Sequence, residues 1–255
     1  QNNVMNIFKS YGYKTTIFQN GAGEKYQVPA DSPYVDEKLC MGYTSIIDSQ
    51  ILRTLVSIYL PIDSDTNIHQ EFTGKSYPHQ FDECIFSFIE DYEDNKEQPH
   101  FVFAHLMLPH GGYRYDSEGN YINPEELKGL NKGAYLNQLI FTEKKSLEMI
   151  DSVQQQNPES VIILLSDHGY REEVTWGNPT DEDLLRGFNN ISAVYFPDKE
   201  IEISEKLSLV NLFRIFFNEY FDTNYEILED RHIWHHEDPF INEDVTNRLN
   251  SFIIK

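Results

Sequence analysis

Three times along the chain an amphipathic helical pattern runs directly into a short apolar stretch, and this pairing constrains the fold more than any other feature. Val4, Ile7, Phe8 and Tyr11 recur at helical spacing, Gly12 stands as a helix stop, and "KTTIFQNG" follows as a strand ending at Gly21. Phe81, Ile85, Phe88, Ile89 and Tyr92 share a second helical face. An acidic stretch and Pro99 then lead into the strand "FVFAHLML" at 101–108. Leu136, Leu139, Ile140, Leu147, Ile150 and Val153 share a third face, closed by Asn157-Pro158 ahead of "VIILLS" at 161–166. A half-exposed strand alternates apolar and polar residues. These runs do not, so both faces are expected to be covered, as in a parallel sheet wrapped by helices. A further strand, "ISAVYFP" at 191–197, precedes the apolar helix "LSLVNLFRIFFNEYF". The expectation is an α/β fold with a mostly parallel sheet flanked by helices. The segment 32–54 is expected to be helical in part, and 60–80 and 111–133 read as long loops.

The chain's 255 residues suit one large domain, 1–255, with 223–255 as a small C-terminal extension. A net charge of −22 argues against nucleic acid or an anionic membrane surface as a partner, because both demand a basic face. An anionic substrate stays open, since a bound cation can reverse the local field of an acidic protein. Cys40 and Cys84 read as two unrelated, mostly buried thiols, with a single disulfide as the alternative and no zinc-finger or redox spacing. No apolar run approaches the roughly 18–20 residues of a membrane span, and no signal-peptide pattern is visible. The first residue is Gln1 rather than Met, which leads us to expect a segment upstream.

Open α/β sheets bind ligands at the carboxyl ends of their strands. The 101–108 strand ends in Pro109-His110-Gly111-Gly112, and the 161–166 strand ends in Asp167-His168-Gly169. A carboxylate beside an imidazole suits zinc or manganese. Gly169 would let the backbone turn sharply without crowding the site. His105 lies within the first strand, where a core histidine is the alternative to a functional one. His110 could equally be an ordinary loop residue, and Asp167 a helix cap.

"FVFAHLMLPHGGYRYDSEGN", followed by "VIILLSDHGYRE", resembles the sulfatase-like branch of the alkaline phosphatase superfamily. Within it the similarity is to membrane-anchored proteins related to lipoteichoic acid synthases and phosphoethanolamine transferases. "VMNIFKSYGYKTTIF", "ISAVYFPD" and "SLVNLFRIFFNEYFDTNYEILEDR" extend the resemblance over residues 4–246. It implies an alkaline phosphatase-like fold and a metal-dependent hydrolase or transferase acting on a phosphate or sulfate ester. Asp167 and His168 would be ligands of a divalent metal (Zn, Mn, Mg or Ca). His110, and with it His105, would contact the transferred group or a second metal. The resemblance also implies a lipid- or glycan-linked substrate, the exoplasmic face of a membrane, and attachment through an upstream segment. In such proteins a metal-activated Thr, Ser or formylglycine attacks the ester and a covalent intermediate is then resolved.

One departure stands out. In the resembled family the nucleophile and the first acidic metal ligand precede the helix that matches residues 4–11. Thr15, Thr16, Ser45 and Thr54 are the available hydroxyls, and none has that context. The chain is therefore expected to be N-terminally incomplete; the alternative is a binding or scaffolding module that keeps the fold without catalysis. A different α/β enzyme with Asp167 as general base would keep its activity in chelator. In "RHIWHHED", His232, His235, His236 and Asp238 could supply a third ligand, or form a solvated polar tail around Trp234. Arg186 and Arg214 are candidates for an anion contact or for simple salt bridges, the latter favoured for Arg214. Residues 63–74 carry alternate acidic residues but lack the glycine and closing glutamate of a calcium loop.

Overall fold

A computed structural model describes residues 3–18, 36–39, 77–90, 98–123, 132–204, 207–236 and 241–253. The chain divides into two compact units, Gln1–Pro158 and Glu159–Lys255. Within the first unit, helix α1 (Asn3–Ser10) leads into strand β1 (Lys14–Phe18), with β2 at Glu37–Leu39, α2 at Tyr77–Glu90, β3 at His100–Ala104 and α3 at Lys132–Gln156. The strands form a parallel sheet of order β2-β1-β3, in which Thr16 pairs with Glu37 and Lys14 with His100. Parallel neighbours joined through helices are what the unalternating runs require. Phe8 of α1 stacks on Phe101 of β3 at 4.1 Å between ring centroids. Phe81 and Ile85 of α2 close over Phe18, Val102 and Ala104, whereas Phe103 of β3 is exposed, so the cover expected on both faces is incomplete there.

Three expectations change in this unit. Glu37–Leu39, inside a stretch expected to be partly helical, is strand; residues 40–54 lie outside the described residues, as do 60–76, 91–97 and 124–131. Helix α3 does not bury its apolar stripe. Ala134, Gln138 and Met149 are buried, whereas Leu136, Ile140 and Leu147 are exposed. Its packing face is set by Met149 and Phe141 against Phe86 and Tyr115, and by hydrogen bonds that Gln138 makes to a loop. Cys84 is held in a disulfide, so the reading of a thiol at that position is overturned; Cys40 lies outside the described residues.

The second unit contains β4 (Ile162–Leu165), α4 (Asp181–Phe188), β5 (Ser192–Tyr195), α5 (Leu209–Phe221), β6 (Ile233–His235), β7 (Asn242–Asp244) and α6 (Thr246–Ile253). Here β5 pairs antiparallel to β4, with Leu165 opposite Ser192, and β6 pairs antiparallel to β7. Trp234 of β6 packs with Leu184, Val245 and Leu249, and its indole N–H donates to the Trp176 carbonyl at 3.0 Å. Residues 233–235 are thus strand around a core tryptophan, not a solvated tail. Helix α4 opens on a capping box. Thr180 and Asp183 exchange hydrogen bonds, and the backbone bond from Thr180 holds the Asp183 carboxyl below its usual range. No described helix is long and apolar enough to cross a membrane.

Candidate functional site

Asp167 and His168 follow directly on β4, and the tip that carries them is fastened through Ser166. The Ser166 N–H donates to the Ile191 carbonyl (3.0 Å), its hydroxyl accepts the Ile191 N–H (2.9 Å), and its carbonyl accepts from Asn190 Nδ2 (2.9 Å). One residue later the Gly169 N–H donates to the Gly187 carbonyl at 2.9 Å. The Asp-His pair therefore sits between two anchored residues. Its side chains differ in exposure, with Asp167 at 85% and His168 at 30%.

His168 Nδ1 lies 2.7 Å from the Gly169 carbonyl oxygen. A carbonyl can only accept, so Nδ1 donates to it, which leaves Nε2 as the ring nitrogen turned toward a prospective ligand. Nε2 stands 3.6 Å from Asp167 Oδ2. Two donors each about 2.0–2.2 Å from a single ion stand roughly 3–3.5 Å apart, so the carboxylate and imidazole suit a shared divalent cation with little adjustment. A backbone carbonyl fixing the second ring nitrogen is the usual support for a histidine ligand. Two donors are fewer than the three protein ligands of a catalytic zinc site, so a third must come from elsewhere. Among the described residues no group of three His, Cys, Asp or Glu side chains could hold a metal. Arg171 approaches Asp167 closely enough to feel its charge; burial lowers the guanidinium pKa and the Asp167 carboxylate opposes that shift.

Gly169 owes its place to packing rather than to a special turn. A Cβ there would stand 2.7 Å from the Asn189 carbonyl oxygen and closer still to that of Arg186, both backbone atoms at the C-terminal end of α4. The sharp turn expected at this glycine is thus not its reason: what a Cβ would crowd is a helix end.

In the first unit β3 stops at Ala104, so His105 lies just beyond the strand rather than inside it. The chain turns at Leu108 and Pro109, and His110 is exposed, with Nδ1 at 3.2 Å from the Gly111 carbonyl. Gly112 follows with φ +86°, a conformation that needs glycine. Beneath this loop lies a buried group that the sequence did not disclose. Arg114 Nε donates to Asp82 Oδ2 at 2.8 Å, and Nη1 donates to the Gly112 carbonyl at 3.2 Å. Burial, only partly offset by Arg114, pushes the Asp82 carboxyl up to about 6. Gln138, fully buried on α3, bonds both ends of the loop. The one hint in the sequence is a Gln and an Asp on helical faces otherwise made of large apolar residues.

The remaining candidates separate. Thr15 and Thr16 are buried inside β1; Thr15 Oγ1 donates to Asp36 Oδ2, and Thr16 Oγ1 lies 2.6 Å from His100 Nε2. Ser45, Thr54, Asp238 and residues 63–74 lie outside the described residues. His232 packs edge-on to Phe188, and its buried Nδ1 has no hydrogen-bond partner among the described residues. His236 Nδ1 sits 3.0 Å from the Gly177 carbonyl. Arg186 pairs with Glu182 and Glu173, and Arg214 donates to the Glu226 carbonyl.

In the second unit an Asp-His pair follows β4, and in the first a histidine-bearing loop follows β3, at the strand edge where open α/β sheets bind ligands. A family profile described as Sulfatase matches residues 1–206, and the chain belongs to that family. Its fold is accordingly of the alkaline phosphatase-like α/β class. Proteins of this family are sulfate- or phosphate-ester hydrolases or transferases and are generally dependent on a divalent metal. No curated protein and no solved structure shows significant similarity to the chain.

Proposed function

We propose that this chain carries part of the active site of a metal-dependent hydrolase or transferase acting on a phosphate or sulfate ester. Asp167 and His168 hold the divalent cation, and His110, with His105, contacts the transferred group. The observation that carries the reading is the Asp167–His168 donor pair, its imidazole oriented by the Gly169 carbonyl, within a stretch that matches the sulfatase family. When bound, the cation would lower the pKa of an attacking oxygen and offset charge on the transferred group. Asp167 supplies the negative charge that attracts it. His168 supplies a neutral donor whose ring is already oriented. The nucleophile and the first acidic ligand are assigned, on the resemblance, to a segment preceding residue 4.

The substrate belongs to the lipid- or glycan-linked phosphate or sulfate esters, and the protein works at the exoplasmic face of a membrane. The disulfide at Cys84 supports that location, because such bonds persist in oxidising compartments. The test is Asp167→Ala in the full-length native protein, assayed on phosphate and sulfate monoesters with and without added Zn, Mn, Mg or Ca. Loss of metal-dependent turnover in a folded variant is the expected result. Turnover that survives either the substitution or a chelator would overturn the reading. The mass of the native protein in its membrane fraction tests the upstream segment: a species well above 29.9 kDa is expected.

A further inference from the structure

The loop from His110 to Arg114 is held by an unusual fastening. Gln138 lies seven residues into α3, is fully buried, and occupies a core position where an apolar side chain would be the ordinary choice. Its Oε1 accepts the Arg114 N–H at 2.8 Å and its Nε2 donates to the His110 carbonyl at 3.0 Å. One side-chain amide thus bonds the two ends of a five-residue loop, with the donor and acceptor pattern of a neighbouring peptide group. Between those ends the Gly112 carbonyl accepts from Arg114 Nη1, and Arg114 is itself tied to Asp82 of α2. The His110 N–H donates to the Met107 carbonyl at 2.7 Å. The backbone on both sides of the His110 side chain is therefore fixed, while the imidazole stays exposed.

We propose that Gln138 is a positioning residue for His110: it sets where the imidazole stands without touching substrate. The inference rests on the assignment of His110 to the transferred group made above. A merely structural Gln138 would act on stability alone: Gln138→Met leaves the Arg114 N–H and the His110 carbonyl without their partner, a cost of about 1–3 kcal/mol that does not depend on the His110 imidazole. A positioning Gln138 acts in addition on turnover, and only through His110, since a loop displaced by about 1 Å can lower turnover on the order of 100-fold.

The experiment is a double-substitution cycle in the full-length native protein, with kcat and KM measured on whichever phosphate or sulfate monoester it turns over. Gln138→Met removes both hydrogen bonds at similar volume, and His110→Ala removes the imidazole. Gln138→Met alone is expected to lower kcat/KM by about 10–100-fold, but to change it by less than about 2-fold when His110→Ala is already present. Equal losses in both backgrounds would make Gln138 a general packing residue and overturn the proposal, as would an unchanged kcat/KM for Gln138→Met alone. Full activity in His110→Ala is a different failure, one that removes the site assignment itself. Gln138→Glu is the second variant. It keeps an acceptor for Arg114 and loses the donor to His110, and the same non-additive loss is expected. If neither Gln138 variant is recovered folded, Gln138 is a folding residue and the positioning role is rejected.

Discussion

Gly169→Ala isolates the contact that presses the Asp167–His168 segment against the end of α4. The added Cβ would meet the Asn189 carbonyl oxygen at 2.7 Å, against an ordinary contact of 3.4–4 Å, with the Arg186 oxygen nearer. The two backbones must part by about 0.7 Å or more, because neither obstacle is a side chain that can swing aside. Overpacking of this kind costs about 1–3 kcal/mol. Losing the hydrogen bond from Gly169 N–H to the Gly187 carbonyl adds about 1 kcal/mol. Together they predict a loss of roughly 2–4 kcal/mol. Gly177→Ala is the matched control, since a Cβ there meets nothing within 4 Å and its φ is not in the left-handed region. It should be neutral, or stabilising by about 0.4–1 kcal/mol through the unfolded chain. Trp176 and Trp234 are the two tryptophans of the sequence and both belong to the second unit, so urea unfolding followed by tryptophan fluorescence reports on the right region. With a slope of about 1–3 kcal/mol per molar urea, the midpoint should fall by roughly 1–2 M for Gly169→Ala alone. In the native protein the affinity for the activating cation should also drop, by about 10–100-fold. A wild-type midpoint for Gly169→Ala, or an equal fall for Gly177→Ala, would refute the close-approach argument.

Asp82 has a folded pKa of about 6 against an unperturbed 3.8, so the native state holds its proton more tightly than the unfolded chain. Stability from this group is present below about pH 4 and is lost as pH rises through 6, a swing of about 3 kcal/mol; Asp82→Asn should flatten that limb of a stability profile between pH 4 and 7. Identical profiles for the two proteins would contradict it. Thr180→Ala removes the hydroxyl of the capping box and should cost about 1 kcal/mol of unfolding free energy, measured by the same fluorescence titration. Cys84→Ser should destabilise the protein by about 2–4 kcal/mol, and a reducing agent should reproduce that loss in the wild type while leaving the variant unaffected.

Apolar runs and helical spacing reported this fold well where burial is apolar. β1, β3 and β4 lie in the stretches whose lack of alternation marked them, and α1 stops before Gly12 as the glycine implied. The pattern failed where a polar side chain is buried for a long-range reason. Gln138 is deep in the core while Leu147 is 63% exposed, the reverse of what periodicity alone suggests. The partners of Gln138 lie 24 and 28 residues away in the chain, and no local rule of spacing encodes them. The same holds for Ser166, whose fastening to Asn190 and Ile191 crosses 24 and 25 residues. At the candidate site the sequence disclosed residue types, since Asp-His-Gly after an apolar run is visible in one dimension. It could not disclose why Gly169 is glycine, because that reason is the end of another helix.

These observations share a physical logic. A side chain that must meet an ion or an anion has to stay accessible, and an accessible side chain on a free loop would sample many positions. In both segments the rigidity is supplied one step away, through the backbone. Ser166 and Gly169 bond neighbouring backbone on either side of Asp167 and His168, and Gln138 bonds the two ends of the loop that carries His110. The anchors are neutral. On the roles proposed above, a charged anchor close to Asp167, His168 or His110 would compete with the ligand it is meant to serve. The charged pair in the first unit, Asp82 with Arg114, acts on the loop through the Gly112 carbonyl, two residues from His110. Burial keeps that pair almost wholly from solvent, with 1% and 5% side-chain exposure, so it stiffens the loop without presenting a charge at its surface.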